Sequence, residues 1–171
     1  MTRISRAATP ALLAVALLAL AACASPTGES APRPDPQVPS VAACEQVTVV
    51  VEFGPIDEPE LEACISAGPA TDVLGAAGVT TEGTVDFGDQ VVCRVNGHPS
   101  SDEEVTIEGT EPFVETCETL NSAAYWALWV KNAPDGEWEY AQEGVTTLEL
   151  VDGQSLGLVY TPGTETIPPQ S

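Results

Sequence analysis

Alternation of apolar and polar side chains dominates the middle of this chain and predicts β-strands. Residues 46–53 place valines and then Phe53 at every second position, and β-branched side chains suit a pleated surface. Residues 90–96 repeat the alternation, and residues 125–131 form a third candidate strand with aromatic side chains on both faces. We therefore expect a domain built mainly from sheet.

One short helix is predicted at about residues 70–78. Val73, Leu74 and Ala77 form an apolar stripe there, and Gly78 is placed to end the helix. A strand, a helix and then several strands is the order of a small α+β domain, in which one helix covers one face of a mixed sheet.

Two more strands are predicted near the C-terminus, at residues 145–150 and 156–160. The residues between them include Asp152-Gly153, the pair typical of a tight two-residue turn. We therefore predict that these two strands pair with each other as a hairpin.

The N-terminal residues follow a different pattern. Arg3 and Arg6 precede an unbroken apolar run at residues 11–20, and small residues then lead to Cys23. This is the anatomy of a secretory signal peptide, and the run Leu20-Ala21-Ala22-Cys23 resembles a bacterial lipobox. By that resemblance, Cys23 becomes the lipid-modified first residue of a protein held at the extracytoplasmic face of the cell membrane.

Two alternatives to a lipoprotein signal remain open, ordinary secretion with cleavage nearby and a retained membrane span. A span needs ~20 consecutive apolar residues, and Ser25 and Pro26 follow the apolar run too soon for that.

Composition divides the chain into four parts. Residues 1–22 are the predicted signal peptide. Residues 23–43 combine prolines with small and charged residues, which cannot bury a core and predict an extended linker. Residues 44–160 suffice for one domain, and the proline-containing residues 161–171 are predicted to be a flexible tail.

The chain is strongly acidic, which limits its partners. Removal of residues 1–22 would leave three basic residues against 26 acidic ones, a net charge of −23. Phosphate contacts require a positive surface, so nucleic acid is excluded as a partner. The same charge repels anionic lipid headgroups, so we expect the protein to contact the membrane only through its lipid anchor.

Four cysteines follow Cys23, namely Cys44, Cys64, Cys93 and Cys117. An even number in an exported domain predicts two disulfides rather than reactive thiols. Four cysteines allow three connectivities, and the residues alone do not choose among them. The sequential pairs, Cys44–Cys64 and Cys93–Cys117, are our working prediction. A zinc site is poorly supported, because no C-x-x-C spacing occurs.

Candidate catalytic chemistry is sparse. His98 is the single histidine, and its neighbours Ser100 and Ser101 lack the motif that would orient a nucleophile. Paired carboxylates are frequent, but among 26 acidic residues their closeness says nothing about glycosidase chemistry. A hydrolase that uses His98 is the least favoured function, and we expect no metal or cofactor.

Aromatic residues concentrate in one strand and the next, at Tyr125, Trp126 and Trp129 and then at Trp138 and Tyr140. On a pleated strand Trp126 points one way, while Tyr125 and Trp129 point the other. One set is expected to pack beneath the helix. The other set is either covered by loops or lies in a groove that contacts a ligand.

Five short segments occur in a recognisable succession: residues 47–51, 70–78, 92–97, 125–130 and 150–153. They read as a valine-rich strand, a short helix, a strand ending in an Asn-Gly turn, a Tyr-Trp strand and an Asp-Gly turn. This succession resembles the transcobalamin C-terminal-like domain, in the secreted and lipid-anchored versions of high-GC Gram-positive bacteria. The resemblance covers roughly residues 46–160 and implies a β-grasp-like fold, a mixed sheet that holds one helix.

The resemblance also has functional implications. It implies a soluble ligand, for which cobalamin is a candidate, and it brings no catalytic residues to this chain. It implies that Cys93 and Cys117 bond to each other. The aromatic strand and the Asn-Gly turn together provide a candidate ligand face, consisting of Tyr125, Trp126, Trp129 and Asn96.

We therefore expect a non-enzymatic, lipid-anchored module that binds a soluble ligand or a cell-envelope component. A secreted protease inhibitor is the alternative, because it too uses a small disulfide-braced scaffold. It would need a rigid exposed loop beside a disulfide, for which the segment around Cys117 could serve.

Overall fold

A computed structural model describes residues 44–171, which contain one helix and eleven strands. In chain order the elements are β1 (Val47–Glu52), β2 (Leu61–Ile65), β3 (Gly68–Pro69), α1 (Ala70–Ala76), β4 (Thr81–Thr84), β5 (Gly88–Val95), β6 (Glu104–Val105), β7 (Phe113–Val114), β8 (Ala124–Lys131), β9 (Trp138–Tyr140), β10 (Glu149–Leu150) and β11 (Ser155–Pro162).

Five strands form the main sheet, in the order β2-β1-β11-β8-β9. The first and last strands of the chain, β1 and β11, run parallel at its centre, and the other neighbours are antiparallel. The mixed sheet and its single helix confirm the predicted α+β class.

The hydrophobic core lies between the inner face of this sheet and α1. Alternate residues of β1, beginning with Val47, point into the core as the sequence pattern predicts. Val73 and Leu74 of α1 are buried against them. The polar positions of α1, including Asp72, face outward.

The helix ends where the glycine predicts. Gly78 adopts a φ of +77°, which costs glycine little because it has no Cβ. Its N–H donates to the carbonyl of Gly75, and the N–H of Val79 donates to that of Leu74. These two bonds close the last turn. The prediction of a helix at about residues 70–78 is thus confirmed, with the regular part ending at Ala76.

The predicted hairpin between residues 145–150 and 156–160 is wrong. The Asp-Gly turn does form, with Gly153 at a φ of +85°. However, β10 pairs with β3, whereas β11 lies between β1 and β8. The reason is length and burial: β11 is buried along almost its whole length, so both its edges need long partners, and the two residues of β10 cannot supply one.

The outer face of the main sheet is also apolar. Ala127, Trp129 and Val159 are buried there, with Trp138 packed against them. The residues that follow β11 lie over this face, and Pro169 among them is buried.

The C-terminal residues therefore differ from the flexible tail that we predicted. The last strand continues to Pro162 rather than ending at Tyr160. The hydroxyl of Thr161 donates to the carbonyl of Glu165 and accepts from the N–H of Ile167. This packing follows from the apolar outer face, which a loose tail would leave in water.

Two disulfides brace the domain. Cys44 bonds to Cys64 and so ties the chain before β1 to β2, and Cys93 of β5 bonds to Cys117. The predicted sequential pairing is confirmed. Each bond is expected to stabilise the fold by roughly 3 kcal/mol.

The predicted signal peptide, the lipidated Cys23 and the linker to residue 43 lie outside the described residues. Within residues 44–171, no helix is long and apolar enough to cross a membrane.

Candidate functional site

The structure distributes the predicted ligand face over three places. Trp126 is buried in the main core, where it makes an edge contact with Phe53 at 5.2 Å and a tilted contact with Tyr160 at 5.4 Å between ring centroids. Its indole Nε1 donates to the carbonyl of His98 at 3.1 Å. Trp126 is thus part of the core and is largely shielded from solvent.

Trp129 and Tyr125 lie on the outer face, opposite to Trp126, as the pleat of β8 predicts. Trp129 is buried and packs edge-on against Tyr140, with ring centroids 5.5 Å apart. The hydroxyl of Tyr125 is 2.7 Å from that of Thr166, in the segment that covers this face. The four predicted residues therefore do not form one continuous contact surface.

A groove nevertheless adjoins the aromatic strand. It has a volume of about 230 Å³, and its walls include Tyr125, Trp126, Leu128 and Tyr140. Burial raises the pKa of Tyr140, and the neighbouring Tyr125 raises it further. The Tyr140 phenol is therefore a neutral hydrogen-bonding group at neutral pH.

Asn96 lies beside a larger cavity, at the turn that follows β5. The Asn96-Gly97 pair forms a tight turn, with both residues at positive φ and with paired backbone bonds between Val95 and His98. The side-chain oxygen of Asn96 accepts from the N–H of Thr80 at 2.8 Å. These bonds hold the turn in one position against the inner face of the sheet.

This larger cavity, which we call the β2 cavity, has a volume of about 460 Å³ and opens at the start of β2. Its apolar wall is provided by Phe53 and Leu61. Asn96 and His98 stand on one side. The rest of the lining belongs to residues 58–62, of which three are glutamates.

His98 is held between two carboxylates. Its Nδ1 is 3.3 Å from Glu103 Oε2, and its Nε2 is 3.4 Å from Glu58 Oε1. The hydroxyl of Ser100 donates to Asp102 instead of to the imidazole. The structure therefore does not form the Ser-His pair that a hydrolase of this kind would use.

A second cavity, of about 410 Å³, lies at the other end of β2. Ile65 and Gly68 line it from the sheet side, and Asp72, Val73 and Ala76 line it from α1. These two cavities thus lie at the two ends of the same strand.

One group of potential metal ligands occurs in the described residues, formed by Cys93, Glu115 and Cys117. The two sulfurs are joined in a disulfide and so cannot act as thiolate ligands. Both oxygens of Glu115 are already engaged, by the N–H of Cys117 and by the side chain of Asn121. This group does not fit a metal.

The segment around Cys117, the candidate inhibitory loop, is held in place by a disulfide and by hydrogen bonds to its backbone. Cys117 is buried, and its carbonyl accepts from the N–H of Val85. Arg94 donates to the carbonyl of Glu115 at 2.9 Å.

Sequence reasoning missed Phe53, Leu61 and the glutamates as lining residues of a cavity. A signal was present, because Glu58, Glu60 and Glu62 recur at every second position up to and into β2. That spacing was hidden by the general abundance of acidic residues.

Comparison of the chain with protein-family models, with curated proteins and with solved structures found no match in any of the three.

Proposed function

We propose that this protein is a non-enzymatic binding module, anchored by lipid at Cys23 to the extracytoplasmic face of the cell membrane. The observation that carries the binding role is the β2 cavity. Its volume of about 460 Å³ falls in the range of small-ligand sites, roughly 300–1,000 Å³. Its lining is more polar than that of most such sites, because Phe53, Pro59 and Leu61 stand beside three glutamates, Asn96 and His98.

The cavity wall is preorganised, which favours binding because little ordering entropy is lost. Phe53 is buried and contacts both the ring of Trp126 and, at 6.1 Å between centroids, the ring of His98. The bond from Trp126 to the carbonyl of His98 locks this aromatic group together. Trp126 and Asn96, two residues of the predicted ligand face, thus act at this cavity, one from behind and one at its edge.

We further propose that the domain is β-grasp-like and related to the transcobalamin C-terminal-like domains. The mixed sheet, the parallel pairing of β1 with β11 and the single helix after β2 support this assignment. The ligand is then a soluble molecule or a cell-envelope component, and cobalamin is one of the first compounds to test.

The anchored location is supported by the two disulfides, since such bonds persist in oxidising compartments outside the cytoplasm. A Cys23→Ala variant expressed with its own leader tests the anchor. The protein should move from the membrane fraction to the soluble fraction. An unchanged membrane association would contradict lipidation at Cys23.

The binding role is tested by thermal shift on the full chain, with cobalamin and cell-wall muropeptides as probes. A binding probe should raise the melting temperature. Pro59→Trp, at the exposed rim of the β2 cavity, should abolish that shift, whereas the control Pro134→Trp in a remote exposed turn should retain it. No shift with any probe, or equal shifts in both variants, would refute a ligand site in this cavity.

A further inference from the structure

We infer that the free edge of β2 binds an extended polypeptide segment bearing lysine or arginine, which adds to the main sheet as a sixth strand. This inference rests on the proposed function and specifies the ligand class of the same site.

The first support is an open strand edge. β2 is an outer strand of the main sheet and pairs with β1 along one edge only. In residues 44–171, no backbone group bonds to the other edge of Leu61–Ile65. Exposed edges offer a row of backbone donors and acceptors, and strand addition uses this row for affinity.

The second support is the position of the two large cavities. Leu61 lines the β2 cavity and Ile65 lines the second cavity, and both residues point to the inner face of the sheet. They are four residues apart, which is ~13 Å along a strand. An added strand would therefore place its side chains at positions i and i+4 over the two cavities, since these side chains share one face.

The third support is charge. Glu58, Glu60 and Glu62 lie along the start of the edge and are all exposed. Among the described residues, Glu58 is paired only with His98, and Glu60 and Glu62 form no ion pair. Asp72 adds an acidic group at the far cavity. A cationic side chain would be attracted at both ends, and an acidic segment would be repelled.

The same charges argue against a second copy of this chain as the occupant. A symmetric dimer through β2 would bring together two identical edges, each carrying glutamates and no lysine or arginine within residues 58–65. Like charges that approach across such an interface are unfavourable. A basic partner segment removes that conflict.

The test uses the purified full chain and a synthetic eight-residue peptide in which lysine alternates with valine. Binding is followed by fluorescence anisotropy. A second peptide of the same sequence carries N-methyl groups on alternate amides, which preserves its charge but removes strand-pairing donors. A third peptide replaces lysine with glutamate.

Two double variants separate the effect of charge at the β2 edge from the effect of the protein's net charge. Glu60→Lys with Glu62→Lys reverses the charge of the β2 edge. Glu137→Lys with Glu143→Lys makes the same change of net charge at exposed sites near the opposite edge of the main sheet. We expect the first pair to weaken binding of the lysine peptide by about tenfold or more, and the second pair to weaken it much less. The N-methylated and glutamate peptides should not bind.

Hydrogen exchange gives an independent readout. Those amides of residues 61–65 that do not bond to β1 should gain protection only when the lysine peptide is added. Protection before addition would show that the chain's own residues before Cys44 cover the edge, and would overturn the inference. Equal weakening by both double variants, or equal binding of the N-methylated peptide, would do so too, because either result means unspecific charge attraction.

Failure of this inference can be told apart from failure of the proposed function. If the lysine peptide does not bind but a small probe still gives a thermal shift that Pro59→Trp abolishes, only the peptide assignment is wrong. If neither binds, both are wrong.

Discussion

Pro169 occupies the space that a side chain on Gly157 would need on the outer face of the sheet: a Cβ atom on Gly157 would lie 2.5 Å from Pro169 Cγ. The missing side chain lets the C-terminal segment settle between Trp129 and Trp138, whose atoms lie 3.3 and 3.2 Å from the same point. The outer apolar face is covered because this one position in β11 is glycine.

Gly157→Ala is therefore expected to displace Pro169. We expect the free energy of unfolding to fall by about 1–3 kcal/mol, as for other overpacked sites, and Trp129 to become more accessible. Urea denaturation and acrylamide quenching of fluorescence measure the two effects. The control is Gly75→Ala in α1, where a Cβ would meet no atom of residues 44–171 within 4 Å and should add about 0.5–1 kcal/mol. Identical behaviour of the two variants would mean that Pro169 does not occupy the Gly157 position.

Glu52 fastens the end of the chain. Its carboxylate is buried on the outer face, and Oε1 accepts from the N–H groups of Gln170 at 2.7 Å and Ser171 at 3.3 Å. Glu52→Gln removes the charge from these bonds and should cost about 1.5–3 kcal/mol. Carboxypeptidase should then trim the C-terminus faster than in the exposed control Glu45→Gln. Equal trimming rates would show that Glu52 does not hold the terminus.

Tyr160 should make the fold sensitive to alkali. Burial raises its pKa well above the ordinary 10.0, and Glu115 and Glu103 raise it further. Because the unfolded chain ionises first, it binds fewer protons than the folded chain above pH ~10, and stability falls as the pH rises through that region.

Tyr160→Phe should reduce this alkaline loss. Within residues 44–171 the buried Tyr160 hydroxyl has no hydrogen-bond partner, so its removal should also raise the free energy of unfolding by about 1 kcal/mol at neutral pH. Denaturant titrations at pH ~8 and pH ~11 measure both effects. An equal decline between the two pH values in variant and parent would rule out Tyr160 as the source.

Arg94 joins three parts of the domain. Its Nε donates to the carbonyl of Pro99 at 2.8 Å, Nη1 to Glu82 at 2.8 Å and Nη2 to the carbonyl of Glu115 at 2.9 Å. A lysine cannot reproduce this fork, so Arg94→Lys should cost about 2–4 kcal/mol.

Hydrogen exchange should locate the Arg94→Lys effect at residues 99–103 and 115–117. The control is Lys131→Arg, where the cation lies 4.8 Å above the ring of Trp138 and a change within about 0.5 kcal/mol is expected. A loss in Arg94→Lys no larger than in the control would show that the fork contributes little.

The candidate site could be predicted only in part. The Asn-Gly pair was enough to identify Asn96, because two adjacent residues specify a tight turn of this kind. Trp126 was recognised as important, but whether an aromatic ring lines a cavity or supports its wall depends on what packs over it. The alternate spacing of Glu58, Glu60 and Glu62 was hidden among the other 23 of the chain's 26 acidic residues, since only an open edge distinguishes them.

The sequence by itself determined the local structure: the strands with alternating valines, the helix that ends at Gly78, and the opposite directions of Trp126 and Trp129. These depend on the periodicity of neighbouring residues. The tertiary structure alone decided that β11 pairs with β1 and β8 rather than with β10, and that the C-terminal segment covers the outer face. It also decided that no strand among residues 44–171 pairs with the second edge of β2. Such choices are competitions between segments far apart in the chain, and they are settled by which pairing buries the most backbone and apolar surface.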